Sequence, residues 1–396
     1  MSSKYLELNR LLPEIVAIRH DLHANPELGY QETRTSRLIQ SKLTEWGIEH
    51  VGGLAGGTGV LARIPATSAD AATLALRADI DALPIKEATG LEYASTVEGK
   101  MHACGHDGHT SILLATAKVL ADQPERPNET LLVFQPAEEG GAGGKRMCDD
   151  GVLDGRVLGG SVRQIYGLHG FPNGTVGQVS TRVGPLLASA AQLLIKVHTV
   201  GCHAAQPHKG IDPVVVASHI VLALQTVASR GVDPLDSVVV TIGKMEIGLA
   251  HNVISDLAVL HGTLRTLVDE TGRTAKAMIE RIVTKTAEAF GATAEVIWEA
   301  VPYPVTRNDA GATARFREIA SNHLGPDKVL EEPNPSMGGE DFSFYGQHVP
   351  ACFYFLGLRP EGQENYPNLH APTFNFNDDA IPVGVELMCE LALTKL

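Results

Sequence analysis

No stretch of the 396-residue chain runs apolar for the roughly 20 residues that cross a bilayer, so no membrane partner is expected. Its start, MSSKYLELNRLLPEIVAIRHDLH, is broken by charges where a signal peptide carries its apolar stretch, and the expected location is cytoplasmic. Positive charge is also short. Against 46 Asp and Glu stand 32 Lys and Arg, a formal net charge of −14, which argues against wrapping a phosphate backbone and against nucleic acid as a partner. An anionic ligand would need a local pocket. Cysteine is sparse: Cys104, Cys148, Cys202, Cys352 and Cys389 are an odd, scattered set that suits free thiols in a reducing compartment better than a disulfide framework. Internal repeats of solenoid length and low-complexity linkers are absent, as are a G-x-S-x-G elbow, an H-E-x-x-H helix and a strand-led G-x-G-x-x-G. Serine hydrolase, zincin and dinucleotide readings lose support accordingly. The Gly-rich EEGGAGGKR fails as a phosphate loop, because Glu139 and Arg146 stand where that motif needs Gly and Ser or Thr. Its glycines instead let the backbone pass close to a crowded site.

What is present is a folded chain, 44% hydrophobic and 20% charged, long enough for two domains. TGVLARIP, TLALRADID, HTSILLATAKVLA, ETLLVFQPAEE and VRQIYGLHGF alternate strand-like and helix-like runs, the mark of an α/β domain. TLALRADI and TLLVFQPA are apolar almost throughout, as strands buried on both faces should be. Their polar residues collect at the C-terminal ends, where open α/β sheets bind ligands. From AQLLIKVH to TAEVIWEA the order becomes β-α-β-β-α-β, a ferredoxin-like unit, and α/β alternation then resumes with ACFYFLGL and a closing helix. The expectation is a discontinuous α/β domain, 1–187 and 301–396, with a ferredoxin-like unit at 188–300 inserted in it.

Five polar clusters fall at strand ends or in loops: DIDALP, HACGHDGHT, QPAEEGG, GLHG and NLHAPTFNFNDD. Taken singly, a histidine such as His169 is more often a hydrogen-bonded loop or core residue than a ligand, and adjacent glutamates are usually a solvated face. Together at one sheet edge they point to a metal site. A rival reading is that Cys104, between His102 and His106, is a thiolate nucleophile. That reading leaves Glu138, Glu139, His169 and His370 without a task, whereas thiolate, imidazole and carboxylate together suit zinc, manganese or cobalt.

With these residues in view, the chain resembles the M20 metallopeptidase family, in its amidohydrolase branch of hippurate hydrolases, N-acyl-amino-acid aminoacylases and indole-acetyl-amino-acid hydrolases. The resemblance takes in RHDLHANPELGYQE, RADIDALP, MHACGHDGHT, QPAEEGG, GLHG, HAAQPH with GIDPV, HNVI, GTLRT, MGGEDF and NLHAPTFNFNDDAI, nearly end to end. It implies two divalent ions per subunit bridged by Cys104, with His106 and His169 on one and Glu139 and His370 on the other. It further implies Glu138 as general base and Asp81 as the carboxylate that orients the site. The inserted unit is implied to be a lid that also makes a homodimer, or pairs of dimers in a homotetramer. His203 would reach the partner subunit's site, and Asn252 and Arg265 would hold a substrate carboxylate. Thr199 and Cys202 stand where the branch has glycines, and Ala190-Ala191 replaces a commoner Ala-Asp. The implied reaction is hydrolysis of an N-acyl amino acid to a carboxylic acid and a free amino acid. A metallo-dipeptidase or carboxypeptidase of the same family, a thiol amidase using Cys104, and a non-catalytic metal-binding protein are the alternatives.

Overall fold

TLALRAD and ETLLVFQ become the strands Thr73–Asp79 and Glu129–Gln135, every residue of which is buried. In the computed structural model, which describes residues 6–299 and 301–396, the chain divides into two compact units. The first comprises the chain through Leu186, Arg307–Pro333 and Asp341–Leu396; the second comprises Leu187–Thr306 and Asn334–Glu340.

The first unit is built on an eight-stranded sheet. Four strands run parallel at its centre, in the spatial order Glu129–Gln135, Thr73–Asp79, Val162–Thr175 and Ala351–Arg359. Gly59–Ile64 and then Glu49–Leu54 extend one side antiparallel, and the short Val179–Thr181 and Val329–Glu331 extend the other. Parallel neighbours need a crossover. The helix His106–Ala121 supplies it between Thr73–Asp79 and Glu129–Gln135, and it is buried almost all round. It packs between the helices Leu6–Ala24 and Ile381–Leu393, so its polar first turn is enclosed as fully as its apolar body.

The second unit has a four-stranded antiparallel sheet in the spatial order Val238–Ile247, Leu257–Thr266, Ser189–His198 and Thr293–Trp298. With the helices Pro213–Thr226 and Asp269–Ala289 packed on it, this is the ferredoxin-like arrangement. Alternate residues Ala191, Leu193, Ile195 and Val197 point into the core, where Ala275, Ile279, Val283 and Ala287 meet them at four-residue spacing. The boundaries differ from 188–300, because Asn334–Glu340 also belongs here: Ala188 N–H donates to the carbonyls of Ser336 (3.0 Å) and Gly338 (2.9 Å).

One expectation is corrected. The continuous helical stretch Pro213–Gly231 is long and apolar enough to cross a membrane by length and composition alone. Val216, Ala217, Ile220 and Leu224 pack into the unit's own core, but Val214, Val215 and Leu222 are exposed on the other side. Scattered polar residues such as Ser218, His219 and Gln225 disguise the stretch when only unbroken apolar runs are sought.

Candidate active site

The polar ends of the central strands converge at one edge of the first unit's sheet. Asp79 closes its strand and Asp81 follows it. Cys104 and Gly105 lead into the crossover helix, and Gly105 adopts φ +86°, a conformation open mainly to glycine. Three residues on, a Cβ at Gly108 would lie 2.4 Å from Phe376, so the helix start can approach this closely only with glycine there. Glu138 and Glu139 sit in a tight turn after Glu129–Gln135, and His169 stands on Val162–Thr175 opposite Phe355. His370, itself at φ +64°, is tied in by its backbone N–H to the carbonyl of Ala103 at 2.8 Å.

These elements bring the side chains together around one sulfur. Cys104 Sγ lies 3.3 Å from His169 Nε2 and 3.3 Å from His370 Nε2, and His370 Nε2 lies 3.2 Å from Glu139 Oε1. Two groups of ligand atoms, Cys104 with His106 and His169, and Cys104 with Glu139 and His370, each fall within 4.8 Å of one another. They share Cys104. A third group of the same span joins His106, Glu138 and Glu139. Asp81 braces both sides: Oδ1 is 3.2 Å from His106 Nδ1, and Oδ2 accepts the Glu139 N–H at 3.0 Å. His106 Nε2 is fully buried without a hydrogen-bond partner. Its charged neighbour is Asp79 Oδ2, at 3.7 Å. An imidazole held by a carboxylate through one nitrogen, with the other buried and free of hydrogen bonds, is the usual preparation of a metal ligand. The residues therefore fit a pair of divalent cations.

Electrostatics bear on the rival role of Cys104. Burial, reinforced by Glu139, Glu138 and Asp79, pushes its thiol well above the ordinary range. A cysteine nucleophile needs electropositive surroundings, and these are acidic; only an added cation would make this sulfur a thiolate. Burial alone would push the His106 imidazole down, yet Asp79 and Asp81 raise it to about 10. Burial and neighbouring His109 hold His169 well below the usual range, neutral and able to donate a lone pair. Glu139 is lowered despite burial, by His370 and His106. His102 ligates nothing in these groups: burial pushes it down to about 4, and neither ring nitrogen has a hydrogen-bond partner.

The remaining expected residues belong to the second unit. Cys202–His203 pairs with Val253–Ile254, and Ala204 N–H donates to the Asn252 carbonyl at 3.1 Å, so His203 and Asn252 are neighbours. Both are exposed. Arg265 is at the far end of the sheet. Leu257 pairs with His198 and Arg265 with Ala190, and the strand between them spans about 27 Å. Asn252, five residues before Leu257, precedes the end of that strand opposite to Arg265. In place of a glycine, Thr199 anchors its hydroxyl to the Ser255 carbonyl at 3.1 Å.

Sequence reasoning missed a second layer. Asp79 accepts from Arg77 Nη1 at 2.6 Å and lies 2.6 Å from His109 Nδ1, while His109 Nε2 receives the Gly170 N–H at 2.8 Å. Beyond it, Asp107 accepts from Arg19 Nη1 at 3.0 Å and lies 2.8 Å from His23 Nδ1, and His23 Nε2 lies 3.3 Å from Glu87. The available signal was charge inside apolar strands: Arg77 interrupts TLALRAD and is wholly buried.

A thiol, imidazoles and a carboxylate grouped at the C-terminal edge of a parallel sheet, with a spare glutamate beside them, define the site of a metal-dependent hydrolase. The profile of peptidase family M20/M25/M40 matches residues 75–394. The chain is 40% identical over 401 residues to IAA-amino acid hydrolase ILR1-like 4 of Arabidopsis thaliana, covering 100% of this chain and 89% of that protein. It is 40% identical over 380 residues to the N-acetyl-L-cysteine deacetylase of Bacillus subtilis (strain 168), covering 96% and 87%. Among solved structures, the Bacillus subtilis YXEP protein, described as a dinuclear metal binding peptidase from M20 family, superposes with a TM-score of 0.80 at 34% identity, covering 98% of this chain and 100% of that one. The chain belongs to peptidase family M20/M25/M40, in its amidohydrolase branch.

Proposed function

We propose that the protein is a metal-dependent amidohydrolase that cleaves N-acyl amino acids to a carboxylic acid and a free amino acid. The observation that carries this reading is the pair of ligand groups sharing Cys104. Cys104 would bridge two ions, with His106 and His169 completing one site and Glu139 and His370 the other. Zinc, manganese and cobalt all suit this mixture of sulfur, nitrogen and oxygen. When bound, the ions supply a water acidified toward neutral pH and positive charge for the developing oxyanion. Glu138, buried beside the ligands, takes the proton from the attacking water and returns it to the leaving nitrogen, since an amine leaves only when protonated. Asp81 holds His106 and the Glu139 backbone in place throughout.

The working unit is proposed to be a homodimer, in which His203 of one subunit would reach the partner's site and offer its imidazole to the developing oxyanion, with Asn252 travelling with it. Arg265 grips the substrate carboxylate through two parallel hydrogen bonds. The separation of Arg265 from the His203–Asn252 pair supports drawing them from different subunits. Exposed Val214, Val215 and Leu222, beside the open sheet edge Val238–Ile247, give a second copy an apolar surface to cover.

Metal analysis combined with a turnover panel tests this reading. Chelation should abolish activity, and manganese, zinc or cobalt should restore it, on benzoyl, acetyl or indole-acetyl amino acids in preference to matched dipeptides. Chelator-resistant turnover that alkylation stops would replace it with a thiol amidase. Bound metal with no turnover would leave a binding protein.

A further inference from the structure

A buried hydrogen-bond cluster ends on the proposed base, and Asp341 is its centre. Asp341 opens the 3-10 turn Asp341–Gln347 and is wholly buried. Its carboxylate accepts from Arg77 Nη2 at 3.0 Å, from Gln135 Nε2 at 2.8 and 3.0 Å, and from the Gly144 N–H at 2.8 Å. Its own backbone N–H donates to Glu138 Oε1 at 3.4 Å. Gln135 precedes Glu138 in the chain and Gly144 follows it, so one residue holds both ends of the loop that carries the base and touches the base itself.

That loop needs holding. Ala137 and Ala142 take φ +52° and +55°, in the left-handed region. Such a conformation is unfavourable for a non-glycine residue and persists only where its surroundings impose it. Gly144 is part of the device, since a Cβ there would lie 2.7 Å from the Asp341 carbonyl oxygen and block the approach of its N–H. Arg77, buried and bonded to both Asp79 and Asp341, supplies the positive charge that lets two carboxylates stay inside the fold. The network is placed to fix where the Glu138 carboxylate points, and a displacement of about 1 Å at a reacting group can cost ~100-fold in rate.

We propose that Asp341 is a positioning residue of the hydrolytic reaction, setting the Glu138 carboxylate through its backbone N–H and clamping the loop on either side of it through its side chain. The inference rests on Glu138 being the general base. Asp341→Asn is close in shape but turns an amide NH2 toward donors. In the metal-loaded enzyme, kcat should fall about 10- to 100-fold with KM within about threefold and both metals retained. The decisive step is a double-mutant cycle. Added to Glu138→Gln, Asp341→Asn should change the residual kcat by less than about twofold, because the group it positions is already gone. Gln135→Met, which removes the two amide bonds to Asp341 together with those its amide oxygen accepts from Arg77 Nε and the Tyr345 hydroxyl and the one its amide nitrogen gives the Pro136 carbonyl, should give a loss with the same dependence on Glu138, and it carries the cycle if Asp341→Asn does not fold. Losses that multiply in the double variant would overturn the proposal, as would a wild-type kcat or a fall in activity matched by a fall in metal content. Near-normal kcat in Glu138→Gln alone would instead remove the base assignment, a separate failure.

Discussion

Asp81 touches two proposed ligands at once, so replacing it with asparagine should show up first in metal affinity. One carboxylate oxygen is 3.2 Å from His106 Nδ1 and the other accepts the Glu139 N–H at 3.0 Å, and the side chain is buried. Hydrogen bonds to a charged group contribute ~1.5–3 kcal/mol each. Asparagine keeps one acceptor oxygen and turns an NH2 toward the other donor, so one bond is lost and a donor faces a donor. A loss of about 2 kcal/mol corresponds to about 30-fold weaker metal binding, within the 10- to 100-fold range typical of residues that orient metal ligands. Competition titration against a chromophoric chelator measures this directly, and activity should return in large part when the variant is saturated with metal. Affinity within threefold of the parent protein would refute the reasoning, since the bracing of His106 and Glu139 would then contribute nothing to holding the ions.

The adjacent glutamates should behave as opposites: Glu138→Gln keeps both metals and loses kcat by at least about 100-fold, while Glu139→Gln loses metal, and atomic absorption beside steady-state kinetics separates the two. Mixing inactive Glu138→Ala and His203→Ala subunits should restore about a quarter of parental activity if His203 acts across the dimer; no recovery after confirmed subunit exchange would place His203 elsewhere. Burial would lower His23, but Asp107 and Glu87 raise it from 6.5 to about 9, with Arg19 and Tyr93 packed beside the same cluster. A raised folded-state pKa gives stability that is full below pH 6.5 and lost as pH rises through about 9, with a ceiling of ~3 kcal/mol. Chemical unfolding of metal-free protein across that window should show the decline in the parent and a flatter profile in His23→Gln; parallel profiles would discount the pair.

Much of this architecture was legible because its signals are local. Strands buried on both faces must be apolar throughout, which exposed Thr73–Asp79 and Glu129–Gln135, and the period-2 and four-residue spacings of the second unit gave its β-α-β-β-α-β order. A cluster holding Cys104, His106, Glu138, Glu139, His169 and His370 was legible because such side chains are rare company at one sheet edge, while the choice of ligands within it came from the family resemblance. What escaped depends on contacts distant in sequence. Arg77 and Asp341 lie 264 residues apart yet bond at 3.0 Å, and nothing near Asp341 in the chain announces that. The return of Asn334–Glu340 to the second unit rests on backbone bonds to Ala188, which no side-chain pattern encodes. The distance between Asn252 and Arg265 was hidden for the same reason, since strand register decides it.

The central claim is that two ions share the sulfur of Cys104. X-ray absorption at the metal edge tests it most directly, on protein loaded with two equivalents of zinc and on Cys104→Asp prepared in the same way. The account predicts a sulfur neighbour at about 2.3 Å in the parent and two bound ions in both proteins. In the aspartate variant the sulfur should be gone and some activity kept, because a carboxylate can also bridge. A parent spectrum with no sulfur neighbour, or an acyl group trapped covalently on Cys104 with a slow substrate, would contradict it.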